Sequence, residues 1–204
     1  MVKNIVFDMG NVLIQWDPAR LIARLGVNGA DAGLLLREVF CDQEWAGLDR
    51  GRLTEEEAAA AFRERLPERL HACLPRLIYW WKDPLWPVEG MAGLVAELKA
   101  AGYGIYLCSN ATSALHTYFP RIPGAEHFDG LLVSADWKLL KPQHEIFELL
   151  YKTYALDPAS CFFIDDSPAN IDGSIVTGMP GTVFDGDLRR LRRDLRRAGI
   201  AVRE

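Results

Sequence analysis

The chain has 204 residues, half of them hydrophobic, and a formal net charge of −5. That length suits one large domain, or a core with a smaller insert. The acidic balance excludes a general nucleic-acid binder, and no apolar run approaches the ~20 residues of a membrane-spanning helix.

In chain order, the first predicted element is a strand over about residues 3–8, an apolar run rich in β-branched residues that ends on Asp8. A Met9-Gly10-Asn11 turn follows at once. From Trp16 to about Leu85 the pattern becomes helical. Asp17 is placed as an N-cap with Pro18 in the first turn of one helix. Ala32–Phe40 is a second helix. Thr54 with Glu57 reads as a capping box that starts a third, running through Leu66. Leu70–Trp81 is the fourth. Four helices with no strand between them predict a compact insert. Its aromatic residues Trp16, Phe40, Trp45, Phe62, Tyr79, Trp80 and Trp81 are expected to form the insert's own core, with one or two turned outward to a cleft. The Asp83–Pro87 stretch reads as the connection back.

Strands and helices then alternate. Met91–Ala101 is helix, Gly104–Ser109 strand, Ser113–Tyr118 a short helix and Leu131–Ser134 strand. His144–Tyr154 is helix, Cys161–Asp165 strand, Ile171–Thr177 helix and Gly181–Phe184 strand. This order predicts an α/β fold, a Rossmann-like parallel sheet with helices on both faces. Residues 1–15 and 86–204 form the core on this reading, and residues 16–85 a small four-helix cap. Leu188–Arg197 carries leucines at helical spacing among arginines, the pattern of a final amphipathic helix. Cys41, Cys73, Cys108 and Cys161 have no metal-type spacing. Cys108 and Cys161 fall in predicted buried strands, as inert thiols suited to a reducing compartment. The chain also enters its first strand without a charged and apolar leader, so a cytoplasmic location is expected. His116, His127 and His144 lack ligand spacing.

The chemistry gathers at the strand ends. In order they offer Asp8, then Ser109-Asn110, then Lys141-Pro142 a short loop after the next strand, then Asp165-Asp166. Open α/β sheets bind ligands at the carboxyl ends of their strands. Three carboxylates around one point are costly unless a cation neutralises them, and this predicts a Mg²⁺ site with an aspartate nucleophile beside it. Nucleophile, hydrogen-bond donors, a fixed cation and metal ligands together make a phosphate-handling set.

The segments Phe7-Asp8-Met9-Gly10-Asn11-Val12, Cys108-Ser109-Asn110, Lys141-Pro142 and Ile164-Asp165-Asp166-Ser167-Pro168-Ala169-Asn170 resemble, in order, the four signatures of the haloacid dehalogenase (HAD) superfamily. The resemblance is to the branch with a helical cap inserted after the first strand, and it covers essentially the whole chain. It implies hydrolysis of small phosphate monoesters, sugar phosphates among them, with Asp8 attacking phosphorus to form an aspartyl-phosphate. It implies Mg²⁺ held by Asp8, Asp166 and a backbone carbonyl near Gly10, with Asp165 acting through water. Ser109 and the amide of Asn110 would donate to the phosphoryl oxygens, Gly10 and Asn11 would line the same site, and Lys141 would supply positive charge. Asn170 would orient Lys141 or a metal ligand. The implied partner is a small phosphorylated metabolite, with no nucleic acid and no membrane; oligomeric state is not legible.

One position departs from the pattern. The usual phosphatase signature carries a second aspartate two residues after the nucleophile as general acid and base, and here that residue is Gly10. An Asp-x-Gly-Asn subgroup that includes bacterial sugar-phosphate phosphatases of the glucose-1-phosphate type shares the departure. Water or a nearby cap residue is then the expected proton carrier. Two alternatives stay open: a hydrolase of the 2-haloacid dehalogenase type, and a catalytically weak phospho-ligand binding protein.

Overall fold

The computed structural model describes residues 1–41 and 43–203. Strand β1 (Asn4–Phe7) leads into helices α1 (Pro18–Arg24), α2 (Gly29–Leu35), α3 (Gln43–Asp49), α4 (Glu55–Arg65) and α5 (Leu74–Ile78). Helix α6 (Met91–Ala100), β2 (Gly104–Ser109), α7 (Leu115–Tyr118), β3 (Gly130–Val133) and α8 (Ser134–Trp137) follow. The chain closes with α9 (His144–Tyr154), β4 (Cys161–Asp165), α10 (Pro168–Val176), β5 (Gly181–Val183) and α11 (Leu188–Arg197). No helix among the described residues is long and apolar enough to cross a membrane.

The five strands form one parallel sheet in the order β3-β2-β1-β4-β5. Their side chains alternate between two apolar layers, as the two-residue period of a strand requires. Ile5, Phe7, Ile105, Leu107, Phe162 and Ile164 face Met91, Leu94 and Leu98 of α6 and Leu191 and Leu195 of α11. Val6, Cys108, Cys161 and Phe163 face Ile146, Phe147 and Leu150 of α9 and Ile171 of α10. Both faces are covered, as expected for a parallel sheet. The C-terminal helix buries Leu191 and Leu195 while its arginines point outward. The chain runs outward from β1 through β2 to β3, then crosses back to β4 on the other side of β1. The crevice at the carboxyl ends of β1 and β4 is thus a topological switch point, where such sheets bind ligands.

The segment between β1 and α6 has its own apolar cluster, which includes Ile22, Leu35, Val39, Leu48, Phe62, Leu74 and Leu77. Two of its expected starts are present. The Asp17 carboxylate accepts from the Arg20 amide at 2.9 Å, and Thr54 and Glu57 form the reciprocal capping box. Its helices differ from the expected four. The second begins at Gly29 and ends in a π turn over Leu36–Phe40. The fourth breaks into a 3₁₀ turn (Glu68–Cys73), α5 and a second 3₁₀ turn (Trp80–Lys82). Pro75 is the reason, since proline is tolerated only in the first turn of a helix and a new helix must restart just before it. Helix α3 was not expected at all. Its sequence is short and holds a glycine, and burial of Leu48 against the cluster holds it.

Candidate active site

Asp8 follows β1, and its amide still donates to the Ile164 carbonyl of β4 at 2.9 Å. The strand ladder therefore fixes where the carboxylate emerges. Asp165 ends β4 and is fully buried; Ser109 ends β2 and is 1 % exposed. Lys141, also buried, lies between the two carboxylates. Its ammonium is 2.8 Å from Asp8 Oδ1 and 2.6 Å from Asp165 Oδ2. Asp8, Asp165 and Asp166 each offer an oxygen within 4.8 Å of the others.

Each member of the set is held by named contacts. Asp165 accepts from the Ser167 amide at 2.8 Å and from Asn170 Nδ2 at 3.0 and 3.1 Å on its two oxygens. With Lys141 added, both Asp165 oxygens are engaged. Asn170 is thus a partner of Asp165. The Asn110 side chain pairs with the Lys141 backbone in both directions, at 2.8 and 3.1 Å, so it positions the lysine. Asn11 has a φ of 54°, a left-handed conformation that asparagine tolerates. Its side chain donates to Asp166 Oδ2 at 2.9 Å and accepts from the Trp16 amide at 2.9 Å. It joins the Asp166 loop to the start of the helical segment.

Burial sets the electrostatics. It pushes the Asp8 carboxyl from 3.8 up to about 6, with the Lys141 charge opposing and the Asp165 charge adding. Burial works against the Lys141 ammonium, but the charges of Asp8 and Asp165 outweigh it and hold the lysine above its ordinary range. The lysine is a permanent cation. Burial likewise pushes the Cys108 thiol up to about 12, which makes it an inert core residue.

Above this set lies a cleft of about 220 Å³. Asp8, Gly10, Asn11, Asn110 and Asp166 line its floor, whereas Ser109, Lys141 and Asp165 are buried beneath it. Trp16, Trp45, Leu48, Ile78, Trp80 and Trp81 line its walls. The tryptophans pack on one another, with Trp16 4.8 Å from Trp80 and 5.6 Å from Trp45 between ring centres. Four tryptophans turn to the cleft, where one or two were expected. Sequence periodicity marks them as apolar but not which side of the helical segment they face. Two acids of the cleft were not among the expected site residues: Asp49, at the end of α3, and Glu55, at the start of α4. The spacing of Trp45 and Leu48 was the available signal for α3, and it was too short to read. His116 is bound to Asp136 at 2.7 Å and takes no part in the cleft.

Comparison with known proteins bears on this arrangement. A family model described as haloacid dehalogenase-like hydrolase matches residues 2–175. A sesquiterpene phosphatase of Aspergillus oryzae is 26% identical over 195 residues, covering 88% of each chain. A D-ribitol-5-phosphate phosphatase of Bacteroides thetaiotaomicron is 26% identical over 186 residues, covering 84% of this chain and 86% of that one. Among solved structures, an alanine variant of a HAD family enzyme from Bacteroides thetaiotaomicron, in complex with magnesium and inorganic phosphate, superposes with a TM-score of 0.71. It is 23% identical, and the match covers 95% of this chain and all of that one. The family match spans most of the chain and both strand-end acid clusters, so this protein belongs to the haloacid dehalogenase-like hydrolases.

Proposed function

We infer that the protein is a Mg²⁺-dependent hydrolase of small phosphate monoesters that works through an aspartyl-phosphate on Asp8. The observation that carries this reading is the buried Asp8–Lys141–Asp165 bridge with Asp166 beside it at the mouth of the cleft. An all-oxygen donor set suits Mg²⁺, which prefers one or two carboxylates plus water and substrate phosphate. Asp8 and Asp166 retain open oxygens toward the cleft, while both Asp165 oxygens are engaged. Asp165 would therefore contribute charge, and Asp8 and Asp166, with a backbone carbonyl near Gly10, would be the direct ligands. The bound ion would neutralise the acids and the transferring phosphoryl group.

The chain's own residues do the rest. Asp8 is aimed up into the cleft by the β1–β4 ladder, ready for in-line attack on phosphorus. Lys141 holds a fixed positive charge against the nucleophile and the phosphoryl oxygens, in a buried setting where such charges act strongly. Ser109 and the Asn110 amide supply donors at the end of β2. Residues 16–85 act as a cap over the core of residues 1–15 and 86–204. The walls of tryptophan, leucine and isoleucine suit an ester whose body is flat or apolar. The volume of about 220 Å³ suits a small metabolite over a phosphoprotein. A sesquiterpene phosphatase and a ribitol-phosphate phosphatase among the relatives support ester hydrolysis, as does a structural neighbour solved with magnesium and phosphate. A dehalogenase reading is weaker, because Asp166 would be a second open carboxylate beside Asp8 with no cation to balance it. The four described cysteines are free, which suits a reducing cytoplasm.

The test is phosphate release from a panel of small phosphomonoesters, with Mg²⁺ and with EDTA, for the wild type and Asp8→Asn. Mg²⁺-dependent release that disappears in the variant is expected. Turnover retained in Asp8→Asn removes Asp8 as the nucleophile, and halide release from 2-haloacids in place of phosphate release overturns the reaction class.

A further inference from the structure

With glycine at position 10, the floor of the cleft supplies no side chain two residues beyond Asp8 to carry a proton. The cleft has another acid that does no visible structural work. Asp49 lines it from the helical segment, at the end of α3. Most acids near the site are committed. Asp165 is held by Lys141, Ser167 and Asn170, and Asp166 by Asn11. Asp136, on the helix packed against α3, is bound by Ser113 and His116. Among the described residues, neither the Asp49 nor the Glu55 carboxylate in the cleft has an ion-pair partner or a hydrogen-bond donor, and of the two it is Asp49 that lies near enough to Asp8 to feel its charge. A half-buried carboxyl without a partner is costly to keep unless it is used.

The backbone that carries Asp49 is fastened to the core. The Asp49 carbonyl accepts from the hydroxyl of Ser134, a fully buried residue that also accepts from the Ala111 amide at 2.9 Å. Arg50 donates to Gln143, in the loop that follows Lys141. Gly51 presses against the backbone of Ala135, and its carbonyl accepts from Lys138. A Cβ at Gly51 would stand 2.3 Å from the Ala135 oxygen, and its φ of +64° is itself a glycine conformation. The acid therefore enters the cleft it shares with Asp8 from a rigid seat, as proton transfer at a defined atom requires.

We propose that Asp49 is the proton carrier of this site, taking the role that the absent side chain at position 10 would have. The inference rests on the Asp8 nucleophile described above. In the first step Asp8 bonds to phosphorus, the bond from phosphorus to the leaving oxygen breaks, and that oxygen takes its electron pair together with the Asp49 proton. In the second step water attacks phosphorus and gives its proton to the Asp49 carboxylate. The phosphorus–Asp8 bond then breaks, its electron pair returns to Asp8, and both acids regain their starting state. The charge balance supports this: burial, with the Asp8 charge adding, raises the Asp49 carboxyl, the direction a proton donor requires. The other titratable groups in the cleft are Asp8, Asp166, Glu55 and Tyr118, whose phenol is directed to the Met9 sulfur.

The experiment is pre-steady-state turnover by Asp49→Asn in saturating Mg²⁺, on p-nitrophenyl phosphate and on an alkyl phosphate from the panel, with Asp8→Asn beside it. An aryl leaving group needs no acid. The variant is therefore expected to release one equivalent of p-nitrophenol in a burst and then turn over slowly, which also shows that it is folded. On the alkyl ester its rate is expected to fall by about 10²–10⁴-fold, the usual contribution of a general acid or base. Rescue is available at the original place, because a Cβ at Gly10 meets only the Trp16 Cβ, at 3.7 Å, and Gly10 is not among the positive-φ glycines. Asp49→Asn combined with Gly10→Asp is expected to recover at least tenfold on the alkyl ester. Equal losses on both substrates without a burst, or a burst produced by Glu55→Gln in place of Asp49→Asn, overturn the assignment. If Asp8→Asn is inactive and Asp49→Asn behaves as wild type, only the proton carrier is wrong. If Asp8→Asn turns over, the reading beneath it fails.

Discussion

Replacing Lys141 by methionine keeps the apolar stem and deletes the ammonium between Asp8 and Asp165. The distances of 2.8 and 2.6 Å, at a lysine side chain only 1 % exposed, make this the breaking of a buried ion pair. Removing one partner of such a pair typically costs about 3–5 kcal/mol, because the other charge is left uncompensated. For a domain of this size 1 kcal/mol corresponds to roughly 2–4 °C in melting temperature, so a fall of about 6–20 °C is expected near pH 8. The pH dependence has a definite sign. The folded Asp8 carboxyl is raised from 3.8 to about 6, so its contribution to stability is complete below 3.8 and is lost as pH rises through about 6. Without the ammonium the Asp8 carboxyl is held higher still, and the loss continues to higher pH. The gap between variant and wild type should therefore be small at pH 5 and widen toward pH 8. Thermal melts followed by circular dichroism at both pH values, in EDTA and in excess Mg²⁺, measure it. Mg²⁺ should narrow the gap at pH 8, since a bound cation offsets part of the missing charge. A shift of the same size at both pH values, or one below about 1 kcal/mol at pH 8, refutes the electrostatic account of this bridge.

Two further substitutions separate the metal from the scaffold. Asp166→Ala removes the open carboxylate beside Asp8, and the Mg²⁺ concentration for half-maximal activity should rise at least about tenfold; an unshifted titration removes Asp166 from the ligand set. Gly51→Ala places a Cβ 2.3 Å from the Ala135 carbonyl oxygen at a φ of +64°. It should cost about 1–3 kcal/mol in stability and slow alkyl-ester turnover more than aryl-ester turnover, because the Asp49 seat moves. An equal effect on both esters would mean that Gly51 serves packing alone.

Several contacts give expected residues more specific tasks. Asn110, read from the sequence as a phosphate donor, uses its side chain to hold the Lys141 backbone. Asn11 clasps Asp166 and the Trp16 amide, so the loop after Asp8 and the start of the helical segment share one asparagine. Such shared contacts couple the position of the helical segment to that of the loop carrying Asp166.

The strand ends were legible in the sequence because their signal is local. An apolar run of β-branched residues stopped by Asp8, Ser109 or Asp165 needs no distant partner to be read, and the parallel alternation follows from chain order alone. The capping box at Thr54, the N-cap at Asp17 and the two leucines of the C-terminal helix are local in the same sense. Other features depended on partners far along the chain. Helix α3 lacks a long periodic face, and it exists because Leu48 finds the apolar cluster and Ser134 finds the Asp49 carbonyl. The turn of four tryptophans toward the cleft, and the commitment of both Asp165 oxygens, also arise only when separated elements meet. Local pattern and strand-end chemistry thus determined the sheet, its order of chemical groups and the acids at its edge. Only tertiary packing decided which wall the aromatic residues form and which further acids, Asp49 and Glu55, come to line the cleft with Asp8, because burial and proximity belong to the folded chain and not to spacing.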